Sequence, residues 1–214
     1  MRTHSDNKLL VAQRRTDIAE ASAKVFVKKG YSRTNMREVA KACKMSIGGI
    51  YRYVGSKEDI LQLVLTSSMS DVLERLEPYH NRLGSVSAKE LLQETMRAYY
   101  ERIDRIQDLT LLVYQETKIL DAKARQTVYQ FEERTLAIFE DLLRSGVETM
   151  EFKPHDCRLE ASNIVILGQA WAFRRWFLKK NYTLTTYIAL QTKSLLQRIG
   201  ADTGTEAAHT QERS

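Results

Sequence analysis

Proline is almost missing from this chain and glycine is scarce, with two and nine in 214 residues. A loop-rich all-β fold needs more of both, so the composition excludes it and leaves room for long helices. Cysteine is equally rare. Cys43 and Cys157 cannot make a disulfide framework, and Cys43 sits on the packing face of a helical pattern, which predicts free thiols in a reducing cytoplasm. Long apolar runs are lacking as well. The longest, residues 164–173, is interrupted by Gly168 and Gln169 and is too short to span a bilayer, while the opening MRTHSDNK is too polar for a signal peptide, so no membrane is expected among the partners. There is no Gly-rich phosphate loop, nucleophile elbow or HExxH, and His155 with Cys157 finds no further ligands at metal spacing among His4, His80 and His209. Neither catalytic residues nor a metal or cofactor is expected.

What the chain has is charge, unevenly placed. Residues 1–60 carry 13 Lys or Arg against 6 Asp or Glu, and residues 61–214 carry 20 against 21, so the overall +6 belongs to the N-terminal part. That asymmetry is the electrostatic footprint of a domain that binds nucleic-acid phosphates. The same part holds the most informative stretch, NMREVAKACKMSIGGIYRYVGSKED, from Asn35 to Asp59. Met36, Val39, Ala40 and Cys43 recur at i, i+3, i+4, i+7, which packs one face of a short helix and turns Arg37, Glu38 and Lys41 outward. Lys44 and Met45 turn the chain. Ser46 then caps a second short helix through Tyr53, with Gly48 and Gly49 small enough for close approach to a phosphate or base edge. Ser56, with Asp59 three residues on, opens a third helix by a variant capping box. The order reads as a helix-turn-helix.

At these residues the chain resembles the N-terminal domain of the TetR family of bacterial transcription regulators, with its pattern GY..T, VS.GT.Y.YF and SKE.L. Gly30, Tyr31, Thr34, Ser46, Gly48, Tyr51, Tyr53, Ser56, Lys57, Glu58 and Ile60 fall in step. Met45, Gly49 and Val54 depart from the usual valine, threonine and aromatic, and Gly49 removes one possible DNA contact. The resemblance implies an operator-binding protein that reads double-stranded DNA. Tyr51, Tyr53 and Lys57 are then the phosphate contacts, and Arg37, Ile47, Arg52 and the backbone at Gly48 and Gly49 address the groove. Thr34, Asn35 and Ser46 complete the expected DNA-binding set.

Beyond the reader, apolar spacing marks further helices. The first runs from Ser56 to about Glu77 and stops before Pro78; others are marked by Leu92, Met96, Tyr99 and Ile103, by Leu109, Leu112, Val113 and Leu120, and by Val128, Phe131, Thr135, Ile138 and Leu142. The expected fold is all-α. A three-helix DNA-binding domain over residues 9–62 precedes a helical ligand-binding and dimerisation domain over 63–200, between disordered polar tails at 1–8 and 201–214.

A single helix expected from about Asp156 to Lys180 is apolar on two sides. Ile164, Leu167, Gly168, Trp171 and Leu178 form one stripe; Val165, Gln169, Ala172 and Trp176 form the other. A helix wet on one side needs one stripe, so the second points to a partner. With the next helix, which carries Ile188 and Leu195, it would make a four-helix homodimer interface, the arrangement the family resemblance implies. Two-fold symmetry has a DNA logic too: it sets two recognition helices about 34 to 36 Å apart, or a multiple, over a pseudo-palindrome.

Charged residues on apolar stripes raise the question of an input. Glu116 lies three residues from Val113 and seven from Leu109, and Arg174 with Arg175 lies between Trp171 and Leu178. Removing one partner of a buried pair costs about 3 to 5 kcal/mol, so these groups are either a structural bridge or the lining of a ligand cavity. Together with Tyr99, Tyr100, Tyr114 and Trp171 they form the expected ligand set. The segments VYQETK and WAFRRWFLKK also resemble a TetR subgroup that includes regulators of fatty-acid and acyl-CoA metabolism, which implies a small hydrophobic effector, with acyl-CoA as the candidate. The function expected is a ligand-responsive, homodimeric repressor. A CoA-utilising helical enzyme and a ligand-independent architectural DNA binder are the alternatives.

Overall fold

The computed structural model describes residues 4–201, with side chains from Leu9 onward. It is all-helical, with no strand among the described residues. The elements are α1 (His4–Lys29), α2 (Met36–Ala42), α3 (Ile47–Tyr51), α4 (Lys57–His80), α5 (Ala88–Arg105), α6 (Gln107–Glu116), a 3₁₀ turn (Thr117–Ile119), α7 (Ala122–Glu148), α8 (Cys157–Phe173), α9 (Arg175–Asn181) and α10 (Leu184–Arg198). Helix α1 reaches back through residues 4–8, part of the stretch expected to be an unstructured tail, while residues 1–3 and 202–214 lie outside the described residues.

Two boundaries differ from the sequence reading. Helix α4 does not stop before Pro78 but carries it in its last turn, where the missing N–H removes a single hydrogen bond and the Asn81 N–H still reaches the Glu77 carbonyl at 2.9 Å. The long helix expected over residues 156–180 is two helices. Arg174, at φ −115° and ψ 25°, leaves the helical region between α8 and α9.

The chain divides into two compact units, one running to Val72 and adding Ile106–Glu132, the other taking Leu73–Arg105 and the chain from Glu133 on. The first unit is larger than the domain expected to end at residue 62. Its core joins Ile18, Phe26, Val39, Ile50 and Leu61 from the N-terminal helices to Leu112 on α6 and Leu120, Ala124 and Val128 beyond it. Burying those apolar faces contributes about 1.5–3 kcal/mol per large side chain. In the second unit α5 packs between α8 and α10.

Candidate functional site

The helix-turn-helix is built from caps. Asn35 accepts the N–H groups of Arg37 and Glu38 at 3.0 and 3.1 Å, and Glu38 accepts the Asn35 N–H at 3.1 Å, a complete capping box. The Glu38 carboxyl is held low by its hydrogen bond from Lys29 and by the Asn35 backbone. Ser46 caps α3 by accepting the Gly49 N–H at 3.0 Å. On α3, Ile50 is fully buried while Ile47, Gly48 and Tyr51 are exposed together, at i, i+1 and i+4 on the opposite side. Arg52 just past that helix and Arg37 on α2 are exposed as well, and a Cβ at Gly48 would meet nothing within 4 Å. These five residues form the open surface the sequence pointed to.

Other members of the expected DNA set have structural roles. Thr34 is buried, and its hydroxyl donates to the Gly30 carbonyl at 2.9 Å. Gly30 itself sits at φ +84° and ends α1 by donating to the Phe26 carbonyl at 2.8 Å, which is why glycine stands there. Asn35 accepts hydrogen bonds as the cap of α2, so its side-chain oxygen is not free for DNA. Gly49 is half-buried, with Ser46 Oγ 3.1 Å from where a Cβ would be. Tyr53 packs against the reader core. Lys57 is half-buried, and its Nζ donates to the Tyr31 and Thr34 carbonyls at 3.2 and 2.9 Å and lies 4.3 Å from the Tyr31 ring centre. It ties the start of α4 to the turn after α1.

Tyr31 completes that joint. Its hydroxyl donates to Glu58 Oε1 at 2.9 Å, and burial, the Glu58 hydrogen bond and the charges of Glu58 and Glu116 push the phenol well above its ordinary range. Glu116 is thus half-buried within the first unit, where its charge is felt at the reader. Arg174 and Arg175, the residues expected beside it, are exposed on the second unit. Tyr114 is 71% exposed, also in the first unit. The expected ligand set is therefore divided.

Its remaining members are packed and satisfied. Tyr99, Tyr100 and Trp171 are at most 1% exposed. The hydroxyls of Tyr99, Tyr100 and Tyr187 donate to the Val165, Ile164 and Leu167 carbonyls of α8 at 3.3, 3.2 and 2.8 Å, and Trp171 Nε1 donates to Asp104 at 2.7 Å. These rings are the core of the second unit, held by the polar handles that buried tyrosine and tryptophan require. A cavity of about 560 Å³ does open between α5 and α10, but none of the seven expected ligand residues lines it. Its polar lining, Gln93, Arg97, Glu101, Thr185, Thr192 and Lys193, carries no local signal in the sequence because it is divided between two helices distant in the chain.

The expected dimer face is also rearranged. Ala172, Ile188 and Leu195 are buried within the chain's own core, at 2%, 8% and 1% exposure. Val165 and Gln169 are half-covered, and Trp176 is open. The exposed apolar stripe differs from the expected one. It runs through Leu159 and Ile166 on α8, which are exposed seven residues apart, with Leu190 exposed on α10. No helix of the described residues is long and apolar enough to cross a membrane.

Residues 18–64 match the family described as bacterial regulatory proteins, tetR family, and residues 85–180 match the tetracyclin repressor-like C-terminal domain. The chain is 32% identical over 179 residues to the HTH-type transcriptional regulator HbdR of Aromatoleum sp. (strain CIB), covering 84% of this chain and 77% of that protein. Its fold is similar to AibR in complex with isovaleryl coenzyme A and operator DNA, with a TM-score of 0.72 at 19% identity over 85% of this chain and 97% of that one. FadR from Bacillus subtilis in complex with stearoyl-CoA is similar at a TM-score of 0.66 and 23% identity, over 86% and 96%. With a capped helix-turn-helix at its N-terminal end and both family domains in order, this chain belongs to the TetR family of DNA-binding transcriptional regulators.

Proposed function

We propose that this regulator is a cytoplasmic repressor that binds a pseudo-palindromic operator as a homodimer and is released by an acyl-CoA. The observation that carries the DNA part is the exposed side of α3 with its neighbours: Ile47, Gly48, Tyr51, Arg37 and Arg52 stand clear of the core. Ile47 suits the methyl group of a thymine, the arginines suit guanine edges or phosphates, and Tyr51 suits a phosphate. Homodimerisation is supported by the exposed apolar residues of α8 and α10, Leu159, Ile166 and Leu190. The acyl-CoA effector is supported by two proteins of similar fold, AibR in complex with isovaleryl coenzyme A and FadR in complex with stearoyl-CoA.

The mechanism in this reading is a population shift. Helix α4 belongs to the first unit up to Val72 and to the second from Leu73, so a ligand that favours one position of α4 acts on the reader through a continuous helix. A tenfold loss of operator affinity needs only about 1.4 kcal/mol of difference in ligand binding between the two states.

The test is to select operator fragments from genomic DNA with the full chain, footprint them, and titrate the complexes with acyl-CoA thioesters of increasing length. A two-fold symmetric footprint and release by one length class are expected, with affinity gaining about 0.8 kcal/mol per buried CH₂ until the pocket is full. Arg37→Ala should relax one operator position at a cost of about 1–3 kcal/mol. Release by no thioester, alongside release by an uncharged aromatic compound, would overturn the effector assignment and leave the DNA reading standing.

A further inference from the structure

The cavity between α5 and α10 is built differently from the packed aromatic core beside it. Along α5, Arg97 and Glu101 stand one turn apart; along α10, Ile188, Thr192 and Leu196 do the same, with Lys193 alongside. Ile188 and Leu196 are buried and give the cavity an apolar floor. Arg97, Glu101 and Lys193 are exposed and make no ion pair among the described residues, so the rim carries two cations against one carboxylate.

Thr192 is the second, independent observation. It is 9% exposed, and its buried hydroxyl has no hydrogen-bond partner. A threonine inside a helix usually turns its hydroxyl back onto the carbonyl four residues earlier, as Thr66, Thr95, Thr110 and Thr117 do at 2.8, 2.7, 3.2 and 2.6 Å. A buried hydroxyl without a partner is costly, and Thr192 carries that cost in the wall of a cavity.

We infer that this cavity is a binding site for a small amphipathic organic anion. The apolar body of the ligand lies on Ile188 and Leu196. Its carboxylate or phosphate head is held by Arg97, whose planar fork suits either group, and by Lys193. The Thr192 hydroxyl has no exposed surface, so it joins them as a donor only by turning about its Cα–Cβ bond. At about 560 Å³ the space is that of a site for a drug-sized molecule. The inference stands apart from the acyl-CoA reading, since it requires neither coenzyme A nor DNA.

The experiment uses the full-length protein and eight-carbon probes: octanoate, octyl phosphate and, as an uncharged control, octanol. Calorimetric titration should show saturable binding of at least one anion, with octanol at least tenfold weaker, and the preferred anion identifies the head group. Arg97→Ala and Lys193→Ala should each weaken anion binding at least tenfold. Thr192→Val should melt at the wild-type temperature or above, because it removes an unpartnered hydroxyl, and yet bind the anion several-fold more weakly. Octanol binding as well as the anions would overturn the proposal, as would wild-type affinity in both cation variants or no saturable binding at all. So would a change of sedimenting mass in Lys193→Ala with anion binding intact, which would mean that a second copy of the chain covers the cavity.

Discussion

Lys57 Nζ donates to the backbone carbonyl of Thr34 at 2.9 Å. With a second bond to the Tyr31 carbonyl and the ring of Tyr31 below it, two of the three ammonium protons are engaged inside the protein. Hydrogen bonds of charged groups contribute about 1.5–3 kcal/mol each when buried, and less at a half-buried site such as this. Lys57→Ala should therefore lower the melting temperature by several degrees, at about 2–4 °C per kcal/mol for a chain of this size. A surface lysine that only meets a phosphate would leave the melt unchanged and reduce the salt slope of DNA binding by about one. Calorimetric melts beside salt-dependent binding separate the two roles.

Gly168 lets the second unit close. A Cβ at that position would stand 2.5 Å from Cε1 of Tyr99 and 3.0 Å from Cε1 of Tyr100. Neither ring can withdraw easily, since both are buried and both donate their hydroxyls to α8. Gly168→Ala gains helix propensity, worth up to about 1 kcal/mol, but overpacking costs about 1–3 kcal/mol and should win. Thermal melts should show a net loss, and a rise would mean that the aromatic core is looser than described.

The two positions show what was legible in the chain and what was not. Periodicity and the Ser46 cap mark the reader, because α2 and α3 are set by contacts within a few residues; the Asn35–Glu38 box is as local, although Asn35 was expected as a DNA contact. Roles that depend on distant partners were hidden. Thr34 and Lys57 read as DNA contacts until the turn after α1 came beside α4. Glu116 read as a core charge because its helix is apolar, but nothing local says that α6 joins the core of the first unit. The tyrosines read as a pocket because aromatic rings line pockets and cores alike, and only the satisfied hydroxyls decide between the two. The break at Arg174 left no proline or glycine to announce it, and Ala172 lies in the core because periodicity alone does not say which apolar side of α8 meets the chain's own helices.

That placement makes a paired test of assembly. Ile166, 49% exposed on α8, should tolerate Ile166→Glu without loss of helix content while the sedimenting mass falls to that of a monomer and operator affinity collapses. Ala172→Glu should do the reverse order of damage. It places an unpaired carboxylate where the side chain is 2% exposed, so the protein should unfold before any interface is questioned. Circular dichroism and sedimentation on both variants are sufficient. A folded Ala172→Glu chain that is monomeric would restore the original stripe, and a dimeric Ile166→Glu chain would move the interface elsewhere.

The pH dependence of stability follows from a carboxylate that no local pattern in the chain marks. Glu151 accepts the Ala88 and Lys89 N–H groups at 2.9 and 3.1 Å, with the hydroxyls of Ser87 and Thr149 as further donors, and so caps α5 from 63 residues away. Burial raises its carboxyl, but these hydrogen bonds outweigh it and hold the group below its ordinary value of 4.5. A carboxyl that is more acidic folded than unfolded adds stability above the unfolded value, and that contribution disappears as pH falls through the lower, folded value. Glu151→Gln should therefore cost about 0.5–2 kcal/mol near neutral pH, the usual scale of a lost cap. Below pH 4.5 the wild-type and variant melting temperatures should converge, because the wild-type carboxyl is being protonated too. Melts from pH 7 down to 3 read this directly, and a gap that widened on acidification would mean that some other group supplies the cap.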